Sequence, residues 1–211
     1  LAADPAFTLA QSLVAAHATK LQPQLGDMND RLAVHMRRYM EGQIALFPER
    51  TFWPDANSTL RLSYGQVEGS APRDGVEYTP FTTLDGAVAK YVPGDAEFDL
   101  PERLLELHRN KDYGRYGTGT GLPVCFTSSL HTTGGNSGSP VLNGRGELIG
   151  INFDRTWEST MSDIRFDPEK CRNISVDIRY VLFTIDKLCG AQRLIDEMVL
   201  VRHAPDPPPV H

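Results

Sequence analysis

The amino-acid sequence predicts a mainly-β fold, a β-barrel preceded by a helical segment and followed by a C-terminal helix. Three observations carry this. Before residue 47, apolar residues recur at helical spacing. From Ser58 the texture changes to short alternating or continuously apolar runs, punctuated by Gly, Asn, Asp and Pro. Beyond Ile178 the helical spacing returns.

Taken in order, Leu9, Leu13, Val14 and Ala16 mark a first helix, with a break expected at Gln22-Pro23-Gln24 because proline lacks the N–H that a helix interior uses. A second helical stretch runs from Met28 through Leu32, Ala33, Met36, Tyr39, Met40 and Ile44, its polar face carrying Arg31, Arg37, Arg38 and Glu41. His17 and His35 read as surface or packing residues, since neither has an acidic or Cys partner three or four positions on. Phe47-Pro48-Glu49-Arg50 marks a boundary, which divides the chain into residues 1–47, 48–202 and a proline-rich tail, 203–211, expected to be extended or disordered.

In the middle division, Thr59 to Val67 alternates apolar and polar residues as a half-buried strand does. Arg73-Asp74-Gly75 is a turn and Val76 to Thr79 is extended; Thr82 to Tyr91 is a short strand or helix. Pro101 to His108 is a helix with proline in its first turn. Asp112 to Gly121 is a loop, and Leu122 to Ser128 is a strand. Strands come next at 140–143 and 147–153, then a loop from Asp154 to Asn173 and a strand from Ile174 to Ile178. Arg179 to Leu188 is a helix stopping at Cys189-Gly190, and Gln192 to Met198 adds a last helical turn or two.

Bulk properties exclude some functions. A net charge of -6 over 211 residues argues against a nucleic-acid binder that relies on phosphate attraction. No apolar run is long enough to span a membrane, and no signal peptide is visible. The start at Leu1-Ala2-Ala3-Asp4, without Met, reads as a processed product or an excised piece. Cys125, Cys171 and Cys189 match no zinc spacing; an odd count allows at most one internal disulfide, and three buried or half-buried thiols are the default reading. No metal or cofactor is expected.

The chemistry concentrates in Thr132-Thr133-Gly134-Gly135-Asn136-Ser137-Gly138-Ser139-Pro140-Val141. Glycines reach backbone angles that other residues avoid, so several amides can converge beside the serine. Acyl transfer needs that arrangement, a nucleophilic oxygen next to preorganised donors for the oxyanion. The plainer reading is a polar β-turn; the length of the string and the apolar runs on both sides favour the functional one. A glycine-cradled serine between short strands points to a barrel of the chymotrypsin type, whose serine needs a histidine base oriented by a carboxylate. The histidines are His17, His35, His108, His131, His203 and His211, and none stands in a Thr-Ala-x-His-Cys context. His131, six residues before Ser137, falls beside the specificity pocket and reads as a pocket or surface residue. The chain thus offers a nucleophile without its acid–base partner.

Five stretches resemble one family: Pro54 to Gly65, Lys111 to Tyr116, Thr132 to Pro140, Gly150 to Glu158 and Val176 to Val181. They look like the C-terminal part of bacterial serine dipeptidyl-peptidases, the family that includes the Asp/Glu-specific enzymes and dipeptidyl aminopeptidase BII. The resemblance implies a double β-barrel with a chymotrypsin-like triad and an inserted helical domain, which releases dipeptides from free peptide N-termini. This chain would then be the second barrel, residues 1–47 the end of the helical cap domain, and the triad His and Asp would lie in a first barrel that the chain does not contain. By the same resemblance Ser137 is the nucleophile and the amides of Gly135 and Ser137 form the oxyanion hole. Asp154 would hold the substrate's α-ammonium.

Arg155 takes the position that is Gly in relatives preferring apolar residues and Arg in the acid-specific ones, with Thr132 and His131 adding pocket donors and Trp157 and Glu158 supporting its loop. Eighteen residues after the nucleophile, its guanidinium can grip a carboxylate with two prongs. The resemblance also implies the periplasm or cell surface and leaves a homodimer of the parent open. No nucleic-acid or membrane partner is expected. Three alternatives stand beside it: a self-sufficient glutamyl endopeptidase-like enzyme, which needs a Thr-Ala-x-His stretch, a non-catalytic module that docks peptide termini, and a structural β domain whose serine turn is a coincidence.

Overall fold

The computed structural model describes residues 4–50, 52 and 59–201. The expected tail at 203–211 lies outside the described residues. The chain forms two compact units, Leu1–Leu60 and Arg61–His211.

In the first unit, α1 (Pro5–Ala16) begins at Asp4, whose carboxylate accepts the Ala6 N–H at 2.8 Å, with proline in the first turn where no N–H is missed. One wide π turn, His17–Leu21, passes directly into α2 (Gln22–Leu46). The expected break at Gln22-Pro23-Gln24 is therefore absent. The helical path continues because Pro23 sits in the first turn after the wide one, where the Gln22 N–H has already reached back to the His17 carbonyl. Leu13, Val14, Leu32, Met36 and Tyr39 are all exposed in this unit.

The second unit opens with a hairpin, β1 (Ser70–Arg73) and β2 (Val76–Tyr78), turned at Asp74-Gly75. Next comes an antiparallel sheet in the order β3-β4-β7-β6-β5, from β3 (Phe81–Thr83), β4 (Pro123–Ser128), β5 (Pro140–Leu142), β6 (Leu148–Arg155) and β7 (Asn173–Asp177). The helices are α3 (Leu84–Val88), α4 (Glu102–Arg109), α5 (Ile178–Phe183), which runs on through a π turn to Leu188, and α6 (Gln192–Asp196). The Thr82–Tyr91 stretch is both of its expected alternatives, a strand end and then a helix.

The main core lies where α3, α4 and α5 meet the start of β4. Leu84, Leu104, Leu107, Tyr113, Tyr116, Leu122 and Phe183 are buried together, with Phe183 edge-on to Tyr113 at 6.3 Å between ring centres. Leu104 and Leu107 come from one face of α4, three positions apart. All three cysteines are free thiols, and burial pushes the Cys125 thiol above its usual range.

Two expectations are corrected. The fold is mixed rather than mainly β, with more helical than strand residues, and its sheet is open rather than a closed barrel. Closure needs the two edge strands to meet, but among the described residues β3 and β5 end the sheet without pairing to each other. The strand expected at Thr59–Val67 is reduced to one bridge, Val67 to Ser128. There the Ser129 N–H donates to the Gln66 carbonyl at 3.0 Å and the Glu68 N–H to the Thr127 carbonyl at 3.2 Å, while the Ser129 hydroxyl accepts the Gln66 N–H at 3.0 Å and the Ser63 hydroxyl donates to the His131 carbonyl at 2.9 Å, so side chains supplement a short backbone pairing. Leu60, Leu62 and Tyr64, the alternating apolar face, are exposed at 101%, 89% and 81%, with nothing among the described residues to pack against.

Candidate active site

The serine turn spans the gap from β4 to β5 and is pinned to β6. Gly138 donates to the Asn152 carbonyl at 2.8 Å, and Asn152 donates back to the Ser139 carbonyl at 2.9 Å. Inside the turn, the Asn136 side chain accepts the Thr133 N–H at 2.9 Å while its carbonyl accepts from Ser139 at 3.0 Å. Gly135 at φ 98° and Gly138 at φ 85° take left-handed conformations that a residue with a Cβ adopts only under strain, so glycine flanks the serine on both sides of Asn136-Ser137. Among the described residues, neither the Gly135 nor the Ser137 N–H donates to a protein acceptor. Ser137 is exposed, and its hydroxyl donates to the Phe153 carbonyl at 3.3 Å.

Under the turn runs a buried polar chain. In β7 the alternation is inverted: Asn173, Ser175 and Asp177 are buried, while Ile174 and Val176 are only half-buried. The amide of Asn173 accepts from the Ser128 hydroxyl and donates to the Asn152 side chain at 2.9 Å and to Ser175 at 3.2 Å. Asn152 then donates to the Asn136 carbonyl at 3.1 Å, the peptide that leads into Ser137. Burying amides is tolerable only when each is paired, and here each pairs with the next. Asn173→Ala strands the Ser128 and Asn152 groups and is expected to lower stability by about 2–3 kcal/mol, read by urea denaturation. An unchanged midpoint would show that the chain contributes nothing.

Strand β6 carries the charged groups. Between Asn152, opposite Ser175, and Asp154, opposite Ile174, it contains one extra residue, Phe153. This bulge presents the Phe153 carbonyl to Ser137 and re-aims Asp154 and Arg155. Asp154 is exposed and accepts the Arg155 N–H at 2.8 Å.

Arg155 is half-buried. Its Nη1 donates to Ser162 Oγ and Asp163 Oδ1, both at 2.7 Å, and to the Thr132 carbonyl at 3.4 Å; Nη2 reaches Asp163 Oδ2 at 3.3 Å. The hydrogen bonds from Arg155 hold the Asp163 carboxyl below the usual carboxylate range and raise the guanidinium in turn.

Of the residues expected at the site, the structure brings Ser137, Asp154, Arg155 and Thr132 to β6 and the turn beside it. The Thr132 contribution is its backbone carbonyl; its buried hydroxyl has no partner among the described residues. His131 lies tilted against the Phe166 ring at 4.4 Å, while the Ser137 hydroxyl bonds elsewhere. Trp157, expected to support this loop, is 87% exposed. Buried Ser159 ties the loop down, donating to the Arg172 carbonyl at 3.1 Å and accepting the Arg172 N–H at 2.9 Å. The Arg172 side chain, also buried, ties Gly69, Pro168 and Cys171 carbonyls together at 2.8 Å each. No motif marks Asn173, Ser162, Asp163 or Arg172, and Asn152 lies within the Gly150 to Glu158 stretch without being singled out. The one available signal is Asn and Ser recurring at alternate positions of β7.

Against this geometry, comparisons with known proteins are consistent. The model of the family described as peptidase S46 matches residues 2–200. The Asp/Glu-specific dipeptidyl-peptidase of Flavobacterium psychrophilum is 52% identical over 198 residues, which cover 94% of this chain and 28% of that protein. Dipeptidyl-peptidase 7 of Phocaeicola vulgatus is 48% identical over 183 residues, covering 86% of this chain and 25% of that one. The crystal structure of Porphyromonas endodontalis DPP11 in complex with substrate superposes with a TM-score of 0.84 at 44% identity, over 92% of this chain and 28% of that one. The chain thus spans little more than a quarter of the length of these relatives.

Proposed function

Because the chain belongs to the peptidase S46 family, we propose that it is the nucleophile-bearing part of a larger serine dipeptidyl-peptidase with a preference for Asp or Glu before the cleaved bond. Identity alone does not choose the specificity, since relatives named as Asp/Glu-specific and as dipeptidyl-peptidase 7 match at 52% and 48%. The observation that carries the choice is Arg155. Its guanidinium, beside the serine turn, already grips a carboxylate with two prongs.

In this reading Ser137 Oγ attacks the scissile carbonyl. Its proton passes to a histidine outside this chain, and the Gly135 and Ser137 amides receive the oxyanion. The histidine then protonates the leaving amine, and water hydrolyses the acyl-enzyme to release the dipeptide. Asp154 pairs with the substrate's α-ammonium, so that the site reads a free N-terminus, and Arg155 reads the acidic side chain. The triad His and Asp belong to a first barrel, residues 1–47 to a helical cap domain, and the enzyme to the periplasm or cell surface.

The division of the triad supplies the experiment. With no base beside it, Ser137 keeps an ordinary hydroxyl, and the 211-residue chain alone is expected to hydrolyse a fluorogenic acidic dipeptide at least about a thousandfold more slowly than the complete enzyme. Turnover by the chain alone at the complete enzyme's rate would overturn the proposal.

A further inference from the structure

We propose that Asp163 sets the threshold for acidic substrates, as an internal carboxylate that competes with the substrate's acidic side chain for Arg155. The inference rests on the reading of Arg155 given above. Its first support is geometric. Asp163 Oδ1 and Oδ2 meet Arg155 Nη1 and Nη2 at 2.7 and 3.3 Å, the end-on fork that a peptide Asp or Glu would itself use. The same edge of one guanidinium cannot serve two carboxylates equally well.

The second support is the asymmetry of the pair. The Asp163 side chain is 52% exposed and that of Arg155 26%. Arg155 has further anchors, the buried Ser162 hydroxyl at 2.7 Å and the Thr132 carbonyl at 3.4 Å, so it keeps its place when a carboxylate leaves. Asp163 lies in a short turn closed by Ile164 and Arg165 amides on the Met161 carbonyl, at 3.0 and 2.8 Å, and its side chain can rotate into water. The exchange is therefore of carboxylates around a fixed cation.

The third support is charge. Asp163 balances the charge of Arg155, and Asp154 adjoins it in sequence, so an arriving carboxylate meets two like charges as well as the cation. Repulsion of this kind at about 4–5 Å near a surface is worth several-fold in affinity. A neutral side chain has nothing to exchange with Asp163 and is indifferent to it. The Asp163 carboxylate thus weakens acidic substrates and products selectively, which favours release of a dipeptide ending in Asp or Glu.

The test is Asp163→Asn in the complete enzyme, with Asp163→Ser as a second variant that leaves no amide near Arg155. For dipeptidyl substrates with Asp or Glu before the cut, KM is expected to fall about three- to tenfold with kcat changed by less than about twofold. The inhibition constant of an acidic product dipeptide should fall in parallel, while substrates with Leu at that position keep their KM. An unchanged or raised KM for acidic substrates in both variants, in an enzyme whose wild type prefers them, overturns this inference alone. A wild type without acidic preference overturns the reading of Arg155 and this inference with it.

Discussion

Ser137→Ala in the complete enzyme is expected to lower kcat for acidic dipeptidyl substrates by at least about four orders of magnitude, with the unfolding midpoint unchanged. The two halves of that expectation come from different observations. The loss follows from the role proposed for Ser137 Oγ, the atom that would bond to substrate, for which alanine offers no substitute. The unchanged stability follows from its exposure and from the one side-chain hydrogen bond it makes among the described residues, 3.3 Å to the Phe153 carbonyl, an acceptor that water can satisfy. The turn itself is held by Asn136, Gly138, Ser139 and Asn152, none of which the substitution touches. Peptide binding should survive, because Asp154, Arg155 and the Gly135 amide remain. A fluorophosphonate that labels the wild type should fail to label the variant. Residual activity within about tenfold of wild type would move the nucleophile elsewhere.

The strands around this turn were legible in the sequence because each is a short apolar run between turn signals: Leu122 to Ser128, Val141-Leu142 and Leu148 to Ile151. The helix at Glu102–Arg109 was legible because its leucines share one face and a proline precedes it. Closure was not legible. Thr59 to Val67 alternates as a strand does, yet alternation records only that one face is apolar and not what covers it. Whether such a segment pairs is decided by partners far away in the chain or beyond it. The site divides in the same way. Ser137 stands out because a serine set among glycines between apolar runs is itself a local pattern, and Arg155 is singled out by the family resemblance rather than by any pattern of its own. Asn152, Asn173 and Asp163 act through neighbours that only folding brings close: Asn173 reaches Ser128 across 45 positions and Asn152 across 21. A polar residue that is buried because its partners are buried leaves no local pattern, and β7, with its polar face inward, reads as the reverse of what it is.

Arg155→Gly is expected to lower kcat/KM for substrates with Asp or Glu before the cut by about a hundredfold or more, while substrates with Leu there are cut as well as before. Removing one member of a partly desolvated charge pair costs about 2–5 kcal/mol in binding. The lower end applies here because the Arg155 side chain is 26% exposed and Asp163 already pairs with the guanidinium that an acidic ligand would use. The substitution should cost the fold little, since Asp163 is exposed and returns to water. Ser162 loses its guanidinium partner but keeps its backbone bond to Ser159 at 2.9 Å.

Arg155→Lys separates charge from geometry. A lysine keeps the positive charge but offers a single point in place of two parallel N–H groups, and from that strand position it cannot hold Ser162, Thr132 and a carboxylate at once. Its acidic preference should fall between wild type and glycine, by about tenfold from wild type. If lysine restores the full preference, the pocket reads charge alone and the fork is incidental. If glycine retains it, a different cation reads the acidic side chain, and Arg155 is left with the structural task of anchoring Asp163.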